Sequence, residues 1–271
     1  MLERKVGTVP GREKQRPAPN YRIEALAKGL RILSLFSSGR PRMHVKEIVD
    51  EVGYPMPTVF RLVATLEEEG YLQRTADGSV QPGMGAVALG FAALQGLELV
   101  QVAEPLLHQL ADETGESVNL GVLSGDQVRV LARAQGKPTS LAANIHPGSC
   151  VPAVYSSMGK VLLAYLPPAV LDQQITKKSF ATEWGPNAVR TLPALRRQLA
   201  IARADGFVVQ EEEAVPGLSS FAAPIRELGG EVIAALNIAV PATRYDRDSI
   251  IATFRDPVLR TCLAISRRFG G

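Results

Sequence analysis

At 271 residues, of which 46% are hydrophobic and 21% charged, the chain has the composition of a globular protein and the length of two average domains. No apolar run approaches the roughly 18 residues of a membrane-spanning helix, so we expect no membrane contact. The two cysteines, Cys150 and Cys262, lie too far apart in sequence to suggest a disulfide framework or a zinc site.

The excess positive charge lies in the first twenty residues. Lys and Arg outnumber Glu there by five to two, which gives this segment +3, the net charge of the whole chain. Because the segment contains Pro and Gly and cannot build a core, residues 1–20 are predicted to be a flexible basic tail. Contact with the DNA backbone and simple solubilisation fit such a tail equally well. It lacks the apolar stretch of a signal peptide, and we expect a cytoplasmic protein.

Two amphipathic helices are predicted next. The first covers residues 21–37, where apolar residues recur at helical spacing: Ile23, Leu26, Leu30, Leu33 and Phe36. The second is short and covers residues 44–52. Gly53-Tyr54-Pro55 then makes a tight turn, which is typical of a helix-turn-helix.

Residues 55–69 are predicted to form the recognition helix of this motif. One face carries an apolar stripe at i, i+3, i+4 and i+7, made of Val59, Leu62, Val63 and Leu66. The opposite face carries Thr58, Arg61 and Thr65 and no carboxylate, which suits a helix that meets phosphates and base edges in the major groove. Gly70 ends the helix.

A hairpin follows the recognition helix. Residues 71–74 and 79–81 are strand-like and flank Asp77-Gly78, a strong turn signal. Residues 21–82 are therefore predicted to be a winged helix-turn-helix domain that binds double-stranded DNA. The expected contacts are Pro57, Thr58, Arg61 and Thr65 on the helix and Arg74 on the wing. A small helical core with a surface hairpin remains the alternative interpretation.

Residues 83–96 are predicted to be a linker helix. Met84, Val87, Phe91 and Leu94 recur at helical spacing and indicate packing against a partner chain, with a simple connecting helix as the alternative. The segment from Gly83 to Ala88 also matches the dinucleotide fingerprint G-x-G-x-x-G/A. That motif requires a buried strand before it, whereas here a polar segment ending in Pro82 precedes it, so we reject it.

Residues 97–271 are predicted to form an α+β domain around an antiparallel sheet. Strand-like segments at 117–123, 128–134 and 140–145 follow a helix at 97–114, and three more lie at 207–212, 220–226 and 231–240. Helices are expected at 157–166, 168–175 and 192–204. A final helix covers 246–268, with a new start at Asp256-Pro257.

Enzyme and metal hypotheses find little support in this sequence. Ser157 and Lys160 make the S-x-x-K spacing of serine acylases, but the partner motifs S-D-N and K-T-G are absent. His44, His108 and His146 have no neighbouring ligands that suggest a metal site, although His146 and Cys150 stand four apart. We predict no enzymatic activity, no metal and no cofactor. The carboxylates Glu211, Glu212 and Glu213 are interpreted as a polar strand edge.

The chain resembles the IclR family of bacterial transcriptional regulators from about residue 21 to its end. The resemblance rests on three motifs in order: PTVFRLVATLEEEGYL, VPAVYSSMGKVLLAYL, and FVVQEEEAVPGLSSFAAPIREL followed by EVIAALNIAVP. It implies a winged helix-turn-helix, a linker helix and a GAF-like effector domain at 97–271. It also implies a homodimer or a dimer of dimers on a pseudo-palindromic operator. LAKGLRIL and PAVYSSMGKVLLAYLP look closest to the branch that controls aromatic-acid (β-ketoadipate) catabolism.

The resemblance further implies an effector site for a small organic acid. The acid would meet the backbone of Ser157 and Met158 at a helix N-terminus, which suits a carboxylate. The side chains implied to line the pocket are Gln210, Ser220, Asn237 and Ala239. The glyoxylate-responsive member carries a carboxylate at the Gln210 position and hydroxyls at the positions of Asn237 and Ala239, so a different or larger acid is expected here. Neutral donors are expected to suffice, without Arg or Lys.

The alternative to a regulator is a sensor or hydrolase that binds small acids and uses its N-terminal domain for protein contacts.

Overall fold

The computed structural model describes residues 22–36, 40–95, 97–137, 145–180 and 185–269. Within these residues the chain forms an N-terminal helix-turn-helix domain and a C-terminal domain built on an antiparallel sheet, which confirms the predicted α+β class. The predictions for the basic tail at residues 1–20 and for most of the strand at 140–145 lie outside the described residues.

The described part of the N-terminal domain comprises α1 (Glu24–Leu33), α2 (Val45–Val52), α3 (Met56–Glu68), β1 (Leu72–Arg74) and β2 (Val80–Pro82). These elements enclose one apolar core, made of Ile32, Met43, Ile48, Val52, Val59, Val63, Leu72 and Val80. Gly53 ends α2 with a φ of 69°, a left-handed conformation that glycine adopts without strain. α1 ends earlier than predicted, and Leu35 and Phe36 pack against the core from beyond its end.

The linker helix α4 spans Met84–Gln95 and follows directly after the wing. Its start lies close against the end of the recognition helix, where Gly85 N donates to Gly70 O at 2.9 Å. A Cβ added to Gly83 would stand 2.4 Å from that same oxygen. The glycines that resemble a dinucleotide fingerprint therefore serve backbone packing between the start of the linker and the end of the recognition helix, in agreement with the rejection of that motif.

In the described part of the C-terminal domain, helices precede, separate and follow two runs of three strands, and these strands belong to one sheet. Its elements are α5 (Glu98–Thr114), β3 (Ser117–Ser124), β4 (Gln127–Ala134), β5 (Cys150–Pro152), α6 (Ser157–Ala164), α7 (Pro168–Gln174), a 3₁₀ turn (Lys177–Phe180), α8 (Leu192–Asp205), β6 (Val208–Glu211), β7 (Leu218–Arg226), β8 (Val232–Pro241), α9 (Arg247–Ser266) and a second 3₁₀ turn (Arg267–Phe269). Among the described residues, the strands form an antiparallel sheet in the order β5-β4-β3-β8-β7-β6.

The sheet separates two apolar cores. On one face, α5 and α9 pack over residues such as Leu120, Phe221 and Leu236. On the other face, α6 and α8 pack over Ala222 and Ala235. Every residue of α6 is buried, and α6 contacts both β7 and β8, so its N-terminal end lies inside the domain against the middle of the sheet.

One predicted feature of this domain was wrong, and one strand was missed. α9 runs without a break through Pro257, although a new start was expected there. Phe254, Val258, Cys262 and Ile265 are all buried, and this continuous apolar stripe offsets the roughly 3 kcal/mol that an interior proline costs. Strand β5 was not predicted, because a three-residue edge strand that pairs with β4 shows no periodicity in sequence.

None of the helices in the described ranges is long and apolar enough to cross a membrane.

Candidate functional site

The recognition helix α3 buries Val59 and Val63 completely and turns a broad face to solvent. Pro57, Arg61 and Thr65, predicted to contact DNA, are exposed on that face, whereas Thr58 is half-buried at its border. The structure adds Phe60, a large apolar side chain that is 59% exposed and that the sequence analysis missed. Its position outside the apolar stripe of Val59, Leu62, Val63 and Leu66 could have indicated this exposure.

Arg61, Thr58 and Thr65 also border a groove between α1, α3 and α4. This groove has a volume of about 700 Å³, and its walls include Leu26, Leu30 and Leu89. One edge of the candidate DNA-contacting face is therefore continuous with an apolar surface of the same domain.

Arg74, the predicted wing contact, is held by its own domain. Its guanidinium forms an ion pair with Glu67 at 2.9 Å and donates to Gly78 O at 3.1 Å. The wing turn is fixed by Asp77, which accepts from Ser79 N at 3.0 Å and from the Thr75 hydroxyl. These bonds, that from Thr75 above all, hold the pKa of Asp77 well below its usual range.

Two rows of polar residues cross the α6-facing side of the C-terminal sheet. The strand registers pair Arg133 with Asn119 and Asn119 with Asn237 in one row. In the next row they pair Ser117 with Ala239, Ala239 with Ser220, and Ser220 with Gln210. All these residues except Arg133 are buried, which is unusual for so many polar side chains and requires that they satisfy one another.

Hydrogen bonds join the rows to the start of α6. Arg133 Nη1 donates to Asn119 Oδ1 at 3.1 Å, and Asn119 Nδ2 donates to Asn237 Oδ1 at 2.9 Å. Ser157 Oγ accepts from Ser220 Oγ at 2.8 Å and from Asn237 Nδ2 at 3.4 Å. We refer to Arg133, Ser117, Asn119, Asn237, Ser157, Ser220 and Gln210 as the buried polar network.

Gln210 closes the network at the edge strand. The single proton of Ser220 goes to Ser157, so the Gln210 amide is oriented with its nitrogen donating to Ser220 Oγ at 3.0 Å. In that orientation its oxygen accepts from Ala214 N at 3.1 Å and from Glu213 N.

The first turn of α6 is fixed by small residues and a cap. Ser156 Oγ accepts from Gly159 N at 3.1 Å, as an N-cap does. A Cβ on Gly159 would lie 2.2 Å from Ala153 O, so only glycine lets the helix start so close to the preceding turn. Met158 is buried, with its sulfur over Gly121 of β3.

The structure thus brings together four of the six predicted effector residues in one network: Ser157, Gln210, Ser220 and Asn237. Met158 and Ala239 are buried beside them. Ser117, Asn119 and Arg133 were not among the predicted site residues. A signal existed, because Ser117, Asn119 and Gly121 alternate with Val118, Leu120 and Val122, which predicts small and polar residues on one face of an otherwise apolar strand.

The S-x-x-K pair does not form an acylase arrangement. Lys160 is buried and makes an ion pair with Glu213, while Ser157 bonds to Ser220 and Asn237. Glu213, interpreted from sequence as part of a polar strand edge, is instead buried. Lys160 and Glu213 line a cavity of about 380 Å³ at the edge of β6, together with Gln198 and Arg247.

The described part of the chain has no side-chain cluster suited to binding a metal, and one of its two thiols is buried. No group of three or more His, Cys, Asp or Glu is placed there to hold a metal ion. Cys262 is buried beneath the sheet, and burial raises the pKa of its thiol to about 12.

Comparisons with known proteins agree with both halves of this architecture. A family model described as the bacterial transcriptional regulator IclR C-terminal matches residues 91–267, and one described as the IclR helix-turn-helix domain matches residues 25–76. The transcriptional regulator BhcR of Paracoccus denitrificans is 33% identical, covering 90% of this chain and 86% of its own. The Pca regulon regulatory protein of Pseudomonas putida is 30% identical, covering 90% and 82%.

A solved structure gives the same result for the whole fold. The crystal structure of an IclR homolog from Microbacterium hydrocarbonoxydans, complexed with 4-hydroxybenzoate, has a TM-score of 0.72 at 27% identity and covers 90% of this chain and 98% of that one. This chain therefore belongs to the IclR family, whose members are bacterial transcriptional regulators and not enzymes.

Proposed function

We propose that this regulator binds a DNA operator through α3 and the wing, senses a small organic acid in its C-terminal domain, and controls a catabolic operon. An aromatic acid is the first candidate. The observation that carries the sensing part is the buried polar network at the N-terminal end of α6, because polar side chains are rarely buried in such number and these converge on a helix N-terminus, where a carboxylate can bind. A relative bound to 4-hydroxybenzoate and a relative named for the Pca regulon support the aromatic class.

The proposed DNA contacts are Pro57, Thr58, Arg61, Thr65 and Arg74. The first four lie on or beside the exposed face of α3, whose first turn carries no acidic residue. Arg74 is engaged with Glu67 and Gly78, so we assign it to holding the wing against α3 and to the electrostatic attraction of phosphate.

The proposed effector contacts are Ser157, Met158, Gln210, Ser220, Asn237 and Ala239. Around the polar members, Met158 and Ala239 supply apolar surface, a combination that suits the ring of an aromatic acid.

The proposed division of the chain has four parts: a tail at 1–20, the DNA-binding domain at 21–82, the linker helix at 83–96 and the effector domain at 97–271. The separate apolar cores on either side of α4 support the two larger units. We propose a homodimer or a dimer of dimers in the cytoplasm, because a winged helix that reads a two-fold operator requires a second copy.

Replacement of Arg61 by alanine tests the DNA-binding part of this function. We expect operator affinity to fall by about 1–3 kcal/mol, the loss of one base or phosphate contact, in fluorescence anisotropy with DNA from upstream of the gene. Arg197→Ala is the matched control, because Arg197 is an exposed helical arginine on α8, outside the DNA-binding domain. Equal affinity of both variants and the wild type, with the fold intact by circular dichroism, would refute this placement of Arg61.

A further inference from the structure

Arg133 is a cation without an acidic partner at one end of the buried polar network. It lies near the end of β4 and is half-buried. Its guanidinium donates to Asn119 Oδ1 at 3.1 Å and to Ser117 Oγ at 3.3 Å, both of them neutral acceptors. Across the described ranges, no carboxylate oxygen lies within 4.0 Å of it.

This arrangement leaves the positive charge only partly compensated. A partly buried charge is costly unless an opposite charge or several hydrogen bonds meet it. Burial lowers the pKa of Arg133, in the direction expected for a cation that has lost water and gained no anion. The bonds to Asn119 and Ser117 use two of the five N–H groups of a guanidinium, so donors remain for a further acceptor.

The network connects Arg133 to the start of α6. Asn119 and Asn237 lie between the guanidinium and Ser157 Oγ, with hydrogen bonds at each step. Two strand spacings separate β4 from β8, which is roughly 10 Å. In the adjacent row, Ala239 has only a methyl group between Ser117 and Ser220.

We propose that Arg133 receives the carboxylate of the effector, and that the acid lies across β3 and β8 with a second polar group at Ser157 and Ser220. This inference rests on the proposed acid-sensing function and names the ligand class more narrowly, as an acid with a hydrogen-bonding group at its far end. It also replaces the expectation that neutral donors suffice without Arg or Lys.

The helix end of the network is less suited to the carboxylate. Ser156 Oγ already accepts the Gly159 N–H there, and Ser157 Oγ already accepts from Ser220 and Asn237. A guanidinium forms charge-assisted and bidentate bonds with a carboxylate, which are about twice as strong as bonds between neutral groups. A hydroxyl, which donates and accepts, fits the serine pair better.

Calorimetry on the full chain tests this assignment with defined probes. These are benzoate, 4-hydroxybenzoate, the aliphatic acids glyoxylate and adipate, and methyl 4-hydroxybenzoate, whose ester removes the charge but keeps the ring and hydroxyl. We expect the wild type to bind 4-hydroxybenzoate more tightly than benzoate and at least tenfold more tightly than its ester. We expect Arg133→Met to weaken acid binding about 10- to 100-fold and to abolish the preference over the ester.

Two further variants separate charge recognition from folding. Arg133→Lys keeps the charge without the planar fork and should restore part of the lost affinity. Arg129→Met makes the same substitution at an exposed arginine on the same strand and should bind like the wild type. Thermal unfolding of each variant shows whether the fold persists. If Arg133→Met does not fold, equal affinity of the wild type for acid and ester still overturns the role of Arg133, and weaker acid binding by folded Arg133→Lys supports it.

The outcomes separate this proposal from the function on which it rests. Equal wild-type affinity for acid and ester, or full acid affinity in folded Arg133→Met, overturns the role of Arg133 and leaves acid sensing in place. If the wild type binds none of the four acids yet still binds operator DNA, the acid-sensing function fails and this proposal fails with it.

Discussion

Lys160 and Glu213 show how a residue pair can mimic a catalytic motif while serving another purpose. Their side chains are only 3% and 7% exposed. Burial lowers the pKa of Lys160 and raises that of Glu213, so each side chain depends on the other to stay charged. A buried pair of this kind is sensitive to the loss of one member, because the remaining charge has no compensation.

Replacement of Glu213 by glutamine should therefore destabilise the C-terminal domain by about 3 kcal/mol, as measured by urea denaturation. Glu211→Gln is the matched control, since Glu211 is 42% exposed and pairs with Arg247 at the surface. That control should change the free energy of unfolding by less than about 1 kcal/mol. The double variant Lys160→Met/Glu213→Leu should be more stable than Glu213→Gln alone, and the reverse order would contradict this account.

The buried polar network shows how much of the candidate site the sequence could predict. Ser157, Gln210, Ser220 and Asn237 follow from motif positions, because each lies in a segment that the resemblance covers. The roles of Arg133 and Asn119 do not follow from motif positions, because they depend on which strands are neighbours in the sheet. Strand β3 pairs with β8 only after the chain has folded back over more than a hundred residues. The burial of Glu213 likewise depends on contact with α6, which no local pattern indicates.

At the scale of elements, local periodicity predicted the long helices and failed where packing decides. The recognition helix and α5 carry clear apolar stripes and were placed within about two residues of their observed ends. The break expected in α9 at Pro257 did not occur, because the apolar stripe on both sides of it is held against the sheet. At the start of α4, packing again decides, because the glycine spacing there reflects close contact with the end of α3.

Gly83 and Gly90 test that contact with one substitution each. Gly83→Ala should destabilise the N-terminal domain by about 1–3 kcal/mol, because the new Cβ would stand 2.4 Å from Gly70 O, a backbone atom that cannot easily move. Gly90→Ala, inside α4, meets no atom within 4 Å and should stabilise that helix by about 0.5–1 kcal/mol. Thermal unfolding followed by circular dichroism measures both, and equal effects of the two substitutions would count against the proposed contact.

At the scale of the whole molecule, the described part of the N-terminal half exposes large apolar side chains on α1, α3 and α4. On α1, Leu26 is 60% and Leu30 54% exposed, and on α4, Met84 is 73%, Val87 54% and Leu89 61% exposed. Met84 and Val87 belong to the face predicted to pack against a partner chain, and both are exposed, while the side chains of Phe91 and Leu94 lie outside the described residues. Leu26, Leu30 and Leu89 line the same groove beside α3. A surface of this kind is typical of a protein interface.

We expect a second copy of the chain to pack against the α1 and α4 side of this groove and to leave Arg61 free for DNA, because the proposed two-fold operator places two recognition helices about 34 Å apart, or a multiple of that distance. Leu26→Glu combined with Leu89→Glu should therefore shift the protein toward monomer in sedimentation equilibrium and weaken operator binding, since charge would be buried at the interface. Leu228→Glu is the control, because Leu228 is 77% exposed on the hairpin between β7 and β8, far from α1 and α4 in sequence. It should leave both properties unchanged. A wild type that sediments as a monomer at micromolar concentration, or a double variant that associates as the wild type does, would show that these leucines do not hold the copies together.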